Sequence, residues 1–346
     1  MYSFDYPMPK RNLAMSQKTF GHALNDALSI AMDIDDNVFI AGEGVGTSIH
    51  LDPNMPTYGL LEKFGRRRVK DTPVSEAAIA GLAVGASCMG LRPVVEIMFF
   101  PFITLASDML VNHAGKLRYI SGGKYSFPLT VRVKAGVGFG AGSQHSHNLE
   151  AWIAHSPGLK IVWPATVEDA KGLLLSAIFD PDPVIVVEDM MLYWMPGDLP
   201  TGDIRTPLGK ARVAVPGTDC TVVAYGIALY TVMKALKPLS EQGISCEVID
   251  LRSLVPLDKA CILDSVNKTG RLVVVHEANR FCGFGAELAA MVSEEAFDAL
   301  KGPVRRVGAP QIPVPVAPSH EKVFKPGPED VITAVLETFF DPSTPR

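Results

Sequence analysis

Short apolar runs alternate with helix-like segments along most of the chain, and this alternation limits the possible folds more than any other feature. NVFIAG (residues 37–42), PVVEIMF (93–99), LTVRVKA (129–135), LKIVWPAT (159–166) and DPVIVVED (182–189) each read as a buried strand. Residues 17–32 and VEDAKGLLLSAIF (167–179) carry apolar residues at helical spacing. Strands that return after a helix build a mainly parallel sheet with helices on both faces. Residues 195–218 interrupt the series; dense in Pro and Gly, they read as a linker with one strand. A second series follows, with CTVVAYG, ISCEVIDLRSLVPLD, RLVVVHEA and PVRRVGA as strands and a closing helix over residues 328–340. The expected fold is α/β, with two open, mainly parallel-sheet domains. An N-terminal arm spans 1–14, the first domain 15–194, the linker 195–218 and the second domain 219–346. A length of 346 residues suits two domains.

Composition narrows the partners. There are 32 basic and 37 acidic residues, with a formal net charge of −5, and the longest basic run is residues 66–68. Nucleic acid is not expected as a main partner. The longest apolar stretch, 77–103, contains Arg92, Glu96, two prolines and several glycines, so it reads as a helix then a strand, not a membrane span. The first residues, MYSFDYPMPKRN, lack a signal-peptide core. Five cysteines without CxxC spacing point to neither a zinc site nor a disulfide framework, and the simplest expectation is reduced thiols in a cytoplasmic protein. A hydrophobic fraction of 47% predicts burial against other subunits, hence a chain that is not a monomer.

The most unusual stretch is DTPVSEAAIAGLAVGASCMG, residues 71–90. It reads as a helix starting at Ser75, built almost wholly of small residues and stopped by Gly90. Glu76 is the only charged side chain between Asp71 and Arg92. Its acid suits the first turn of a helix, with Ser75 as cap. A helix of Ala and Gly also lets another chain or a ligand come close, and a carboxylate at its tip is then cut off from water. Such a group finds a partner or shifts its pKa.

Other candidates lie in loops after the strands. Glu43 sits at the end of strand 37–42, where open α/β sheets hold ligands, and reads otherwise as a solvated loop acid. Phe99, Phe100 and Phe102 cluster after strand 93–99, as core or as a cofactor platform, and residues 102–116 have helical spacing. Alternating glycines 136, 138, 140 and 142 imitate a dinucleotide fingerprint, but QHSH intervenes before any helix, which excludes that site. His145 and His147 lack a third metal ligand at recognisable spacing. His145 suits proton chemistry or hydrogen bonding, or is a surface histidine. The glycine pair of GFGAEL serves either packing or a phosphate.

Seven motifs in order carry a resemblance: DTPVSEAAIAG, EIMFFPF, SDMLVNHAGKLRYISGG, QHSHNLEAW, HSPGLKIVWPATVEDAKGLL, DLRSLVPLD and HEANRFCGFGAELAA. Together, over residues 15–340, the chain resembles the beta subunit of the thiamine-diphosphate-dependent decarboxylase component of 2-oxo acid dehydrogenase complexes of the pyruvate, branched-chain or acetoin type. The resemblance implies a transketolase pyrimidine-binding domain followed by a transketolase C-terminal domain. It implies an alpha subunit that carries the cofactor's diphosphate and Mg²⁺ in an α2β2 heterotetramer, and a lipoyl-bearing acyltransferase as acceptor. By the same resemblance Glu76 meets the aminopyrimidine and favours its imino tautomer. Phe102 packs on that ring, Glu43 holds its edge, and His145 bonds intermediates or assists transfer to lipoamide. Leu129, Ala177, Asp180 and Asp182 fall where some members bind a structural monovalent cation such as K⁺. The sequence departs from the pattern at Gly44, where a second acid is common, at His147, and in its regular glycine loop. A split transketolase-like or acyloin-type enzyme acting without lipoamide would use the same Glu76 chemistry. A non-catalytic assembly module is disfavoured by the presence of both Glu76 and His145.

Overall fold

The computed structural model describes residues 15–46 and 52–339. The expected N-terminal arm, 1–14, lies outside them, as does the end of the chain. In chain order the strands are β1 (Met15–Thr19), β2 (Val38–Gly42), β3 (Val69–Asp71), β4 (Arg92–Ile97), β5 (Thr130–Ala135), β6 (Lys160–Val162) and β7 (Val184–Asp189). They continue with β8 (Pro196–Pro200), β9 (Arg212–Val215), β10 (Cys220–Ala224), β11 (Cys246–Asp250), β12 (Ser253–Val255), β13 (Leu272–Asn279) and β14 (Arg305–Ala309).

Among the described residues these form a seven-stranded sheet in the order β12-β6-β7-β5-β4-β2-β3 and a five-stranded sheet in the order β14-β13-β10-β11-β9. Strands β1 and β8 pair with each other. All pairings within the two large sheets are parallel except those of the edge strands β12 and β9. Strands β2, β5, β7, β10 and β11 are buried at every position, as strands of a parallel sheet covered on both faces should be.

Helices supply the cover. Phe20–Ile34 and Val167–Phe179 pack one face of the first sheet through Phe20, Leu24, Leu28, Leu173 and Leu174. Each starts on a threonine cap: Thr19 accepts from the amide of His22, and Thr166 from that of Asp169. Glu76–Cys88 covers the other face with Ile79, Ala80 and Ala83. That side of the core runs on without a break through Phe100, Trp163, Tyr225, Leu251 and Leu272, so the two sheets share one apolar centre.

Three stretches differ from expectation. Residues 17–19, read as the start of a helix, belong to β1, and the helix begins at Phe20 after the Thr19 cap. The proline-rich connection holds two strands instead of one, with β8 closing on β1 and β9 on β11. Residues 100–120 are not one α-helix. They form a 3₁₀ turn over Phe100–Thr104, a π-helical stretch over Asp108–Ala114 and an α-helical end over Gly115–Ile120. Pro101 lies at the start of the 3₁₀ turn, where its missing N–H costs nothing. Widened turns of the π type recur at functional sites.

Candidate active site

Four neighbouring parallel strands, β5, β4, β2 and β3, end on the same edge of the first sheet, and each leads into a candidate. Glu43 follows β2, Glu76 lies just beyond β3, Phe99 and Phe102 follow β4, and the glycine loop to His145 follows β5. Ligands collect at this edge of open α/β sheets.

Glu76 is the first residue of its helix and only 5% exposed. Ser75 stands at the cap position with no side-chain hydrogen bond, so its expected capping role is not made; its carbonyl receives the amide of Ile79 at 3.0 Å. Two contacts bind this start to the Glu43 loop: Gly46 N–H donates to Asp71 Oδ1 at 2.7 Å and Thr72 N–H to Gly42 O at 3.0 Å. Glu43 is no solvated loop acid. It is 8% exposed, and its Oε1 is buried with no hydrogen-bond partner among the described residues. Burial, then the charges of Glu76 and Glu96, raise its pKa, against the pull of Lys134.

The three phenylalanines divide their roles. Phe100 is fully buried and meets Trp163 edge-on at 6.1 Å. Phe99 and Phe102 are half-buried and turn to His145, with ring centroids 4.7 and 5.3 Å away in edge-on geometry. His145 lies on the short helix Ser143–Ser146 and is half-buried, whereas His147 is exposed. No group of three or more His, Cys, Asp or Glu among the described residues is arranged to hold a metal.

Behind this edge runs a buried charge network that the sequence reading left out. Arg132 on β5 grips Glu188 on β7 with two parallel bonds, Nε to Oε1 at 2.7 Å and Nη2 to Oε2 at 2.8 Å. Its Nη1 donates to Glu96 on β4 at 2.8 Å, Lys134 Nζ pairs with Glu96 at 2.7 Å, and Tyr193 donates to Glu188 at 2.5 Å. The signal was present: TVRVKA places cations at alternate positions of a strand whose two faces are both covered, and Glu96 stands in an apolar run. Charges in such places are there in pairs.

The remaining motifs resolve by contact. The glycine pair of GFGAEL serves packing, since a Cβ at Gly283 or Gly285 would lie 2.9 Å from the His276 ring. The Leu129, Ala177, Asp180 and Asp182 group is already charge-balanced from within the chain. Lys160 Nζ meets Asp180 at 2.7 Å and Asp182 at 3.2 Å, and Arg118 meets Asp182 at 2.9 Å. The Leu129 and Ala177 carbonyls accept the amides of Val184 and Asp180. Each of these carbonyls keeps a second lone pair, so the main-chain oxygens of the expected cation site stay available beside the Lys160 and Arg118 ion pairs.

Residues 16–194 match the transketolase pyrimidine-binding domain family and residues 209–331 the transketolase C-terminal domain family. A split-gene transketolase, in an inactive beta4 tetramer, superposes with a TM-score of 0.77 at 22% identity, over 92% of this chain and 98% of that one. The fold is therefore transketolase-like. The acetoin:2,6-dichlorophenolindophenol oxidoreductase subunit beta of Bacillus subtilis is 43% identical over 93% of this chain and 97% of its own length. The pyruvate dehydrogenase E1 component subunit beta of Rickettsia felis is 44% identical, over 94% and 99%. That of Rhizobium meliloti is 42% identical, over 93% and 70%. The chain belongs to this family of pyruvate and acetoin dehydrogenase-type beta subunits.

Proposed function

We propose that the chain is the beta half of a thiamine-diphosphate-dependent decarboxylase component, acting on a 2-oxo acid or acetoin and passing the acyl group to lipoamide. The observation that carries this reading is the pair of buried acids at one sheet edge: Glu76 at a helix tip, and Glu43 beside it with an unpartnered buried oxygen. A buried acid without a partner needs one from a ligand or another chain, so these residues fit the amino and ring-nitrogen edge of a pyrimidine. Thiamine diphosphate, when bound, supplies the carbon nucleophile that attacks the substrate carbonyl.

In this reading Glu76 holds a hydrogen bond to the pyrimidine ring nitrogen, strengthened by its burial. Glu43 takes the exocyclic edge, Phe102 packs on the ring, and His145 moves a proton or donates a bond at the reacting group. The diphosphate and Mg²⁺ are assigned to an alpha subunit. A structural monovalent cation at Leu129, Ala177, Asp180 and Asp182 is part of the same reading, next to the Lys160 ion pairs.

An alpha partner is supported by the outer side of the Glu76 helix. Ala77, Ala78 and Gly85 are exposed there with Leu82 and Met89, an apolar surface smooth enough for close approach of another chain. An α2β2 assembly, a lipoyl-bearing acyltransferase as acceptor and a cytoplasmic location complete the proposal. No helix among the described residues is long and apolar enough to cross a membrane.

The test is co-expression with the alpha chain, followed by assay against pyruvate, branched-chain 2-oxo acids and acetoin. Formation of acyl-lipoamide supports the reading. Ketol transfer to an aldehyde without lipoamide use points instead to a split transketolase-like enzyme. Normal turnover by Glu76→Ala refutes both.

A further inference from the structure

The glycine loop after β5 is held by acidic side chains from the other domain. Gly136, Gly138, Gly140 and Gly142 have φ of +108°, +121°, +72° and +75°, and the residues between them keep negative φ. Such alternation, open to glycine, keeps the loop out of helix and strand, so its N–H groups take side-chain acceptors. Gly136 N–H donates to Asn148 Oδ1 at 3.2 Å, and acidic side chains take the next ones. Val137 N–H donates to Glu277 Oε1 at 2.7 Å, and Gly138 and Gly140 both donate to Glu321 Oε1, at 3.1 and 3.2 Å. Glu277 ends no helix and lies within β13; Glu321 lies in the helix Pro318–Phe324; both are buried.

Two further ties bind the same loop. Val137 enters a small apolar cluster with Ala309, Val314 and Phe324, all from the C-terminal half. Ser143 donates to the Val314 carbonyl at 2.7 Å where the His145 helix begins. A side chain at Gly142 would meet Val316 Cγ2 at 2.9 Å, so the loop fits closely against this surface. The loop itself offers little with which to hold its own shape, because every second residue lacks a side chain and glycine is costly to order.

We propose that Glu277 and Glu321 are positioning residues: by gripping the glycine loop from the C-terminal domain, they set His145 against Phe99 and Phe102 at the edge of the first sheet. This inference rests on the role proposed above for His145. It also gives the second domain, which contributes none of the candidates that touch the reacting group, a direct hold on the site.

The experiment uses the alpha–beta holoenzyme, with Glu321→Ala, Glu321→Gln, His145→Asn and the Glu321→Ala/His145→Asn pair. Lys322→Ala, an exposed neighbour on the same helix, is the control. Hydrogen exchange of the peptide covering 136–147 should quicken about 10-fold or more in Glu321→Ala, while β13 keeps its protection. Turnover should fall about 10-fold in Glu321→Ala and no further in the pair than in His145→Asn alone, because both changes act on one group. Glu321→Gln keeps an amide oxygen that can accept both N–H bonds, and should restore most of the turnover. Unchanged exchange in the loop overturns the clamp, as do additive losses in the pair. Wild-type turnover in His145→Asn would instead overturn the role given to His145, whatever the exchange shows of the contact.

Discussion

Tyr225, just beyond β10, donates its hydroxyl to Glu150 Oε1 at 2.7 Å across the junction of the two domains. The second oxygen of Glu150 is buried without a partner among the described residues. Burial is the main cause that lifts the Glu150 pKa from 4.5 to about 7; the Tyr225 bond opposes the rise and Glu277 adds to it. The folded state therefore holds a proton that the unfolded chain releases near pH 4.5. Stability must fall as pH rises through this window and level off above about 7. Glu150→Gln removes the effect. Its stability advantage over the wild type, from urea denaturation, should grow between about pH 4.5 and pH 7 toward an upper bound of roughly 3 kcal/mol. A constant difference across that range would contradict the assignment.

Glu76→Gln and Glu76→Ala should lower turnover of the reconstituted enzyme by about 10²- to 10⁴-fold, the range for loss of a group that manages a proton. The far-ultraviolet circular dichroism should stay that of the wild type, because the helix takes no side-chain cap from Ser75 and stands on the packing of Ile79, Ala80 and Ala83.

Arg132→Met should destabilise the protein by about 3–5 kcal/mol in chemical denaturation, since it strands Glu188 and part of Glu96 as buried charges. Adding Glu188→Gln to that variant should recover a substantial part of the loss. Failure to recover would mean that the packing of Arg132, not its charge, is what the sheet needs.

Exchange of potassium chloride for tetramethylammonium chloride at equal ionic strength tests the cation site: loss of a bound potassium should lower the Tm, whereas an unchanged Tm would mean that Lys160 alone balances Asp180 and Asp182. Lys160→Ala should cost roughly 1–2 kcal/mol, as expected for a partly buried pair with hydrogen bonds, and should leave the Tm rising with potassium.

The strands and the helix Val167–Phe179 were legible because period and burial agree: a run such as VIVVED has no polar face to spend on water. Glu76 stood out because it is one charge among small residues, and the structure does bury it. What stayed hidden was mostly long-range. Glu277 and Glu321 lie 140 and 183 residues from the amides of Val137 and Gly138 that they hold, and no local pattern announces such a meeting. Phe99, Phe100 and Phe102 could not be sorted from sequence, because the 3₁₀ turn after β4 changes which ring faces inward. Ser75 was expected to cap its helix, yet sequence cannot show which way a hydroxyl will turn.

Strand β12 comes from the second half of the chain, pairs with β6 at the rim of the first sheet, and is anchored there by Trp163 N–H to the Arg252 carbonyl at 2.8 Å. Splitting the polypeptide after residue 218 would therefore strip β6 of its neighbour and leave a raw, adhesive seam on one fragment. Neither piece is a self-sufficient module, and expression of the halves as separate polypeptides should give insoluble material unless both are made together.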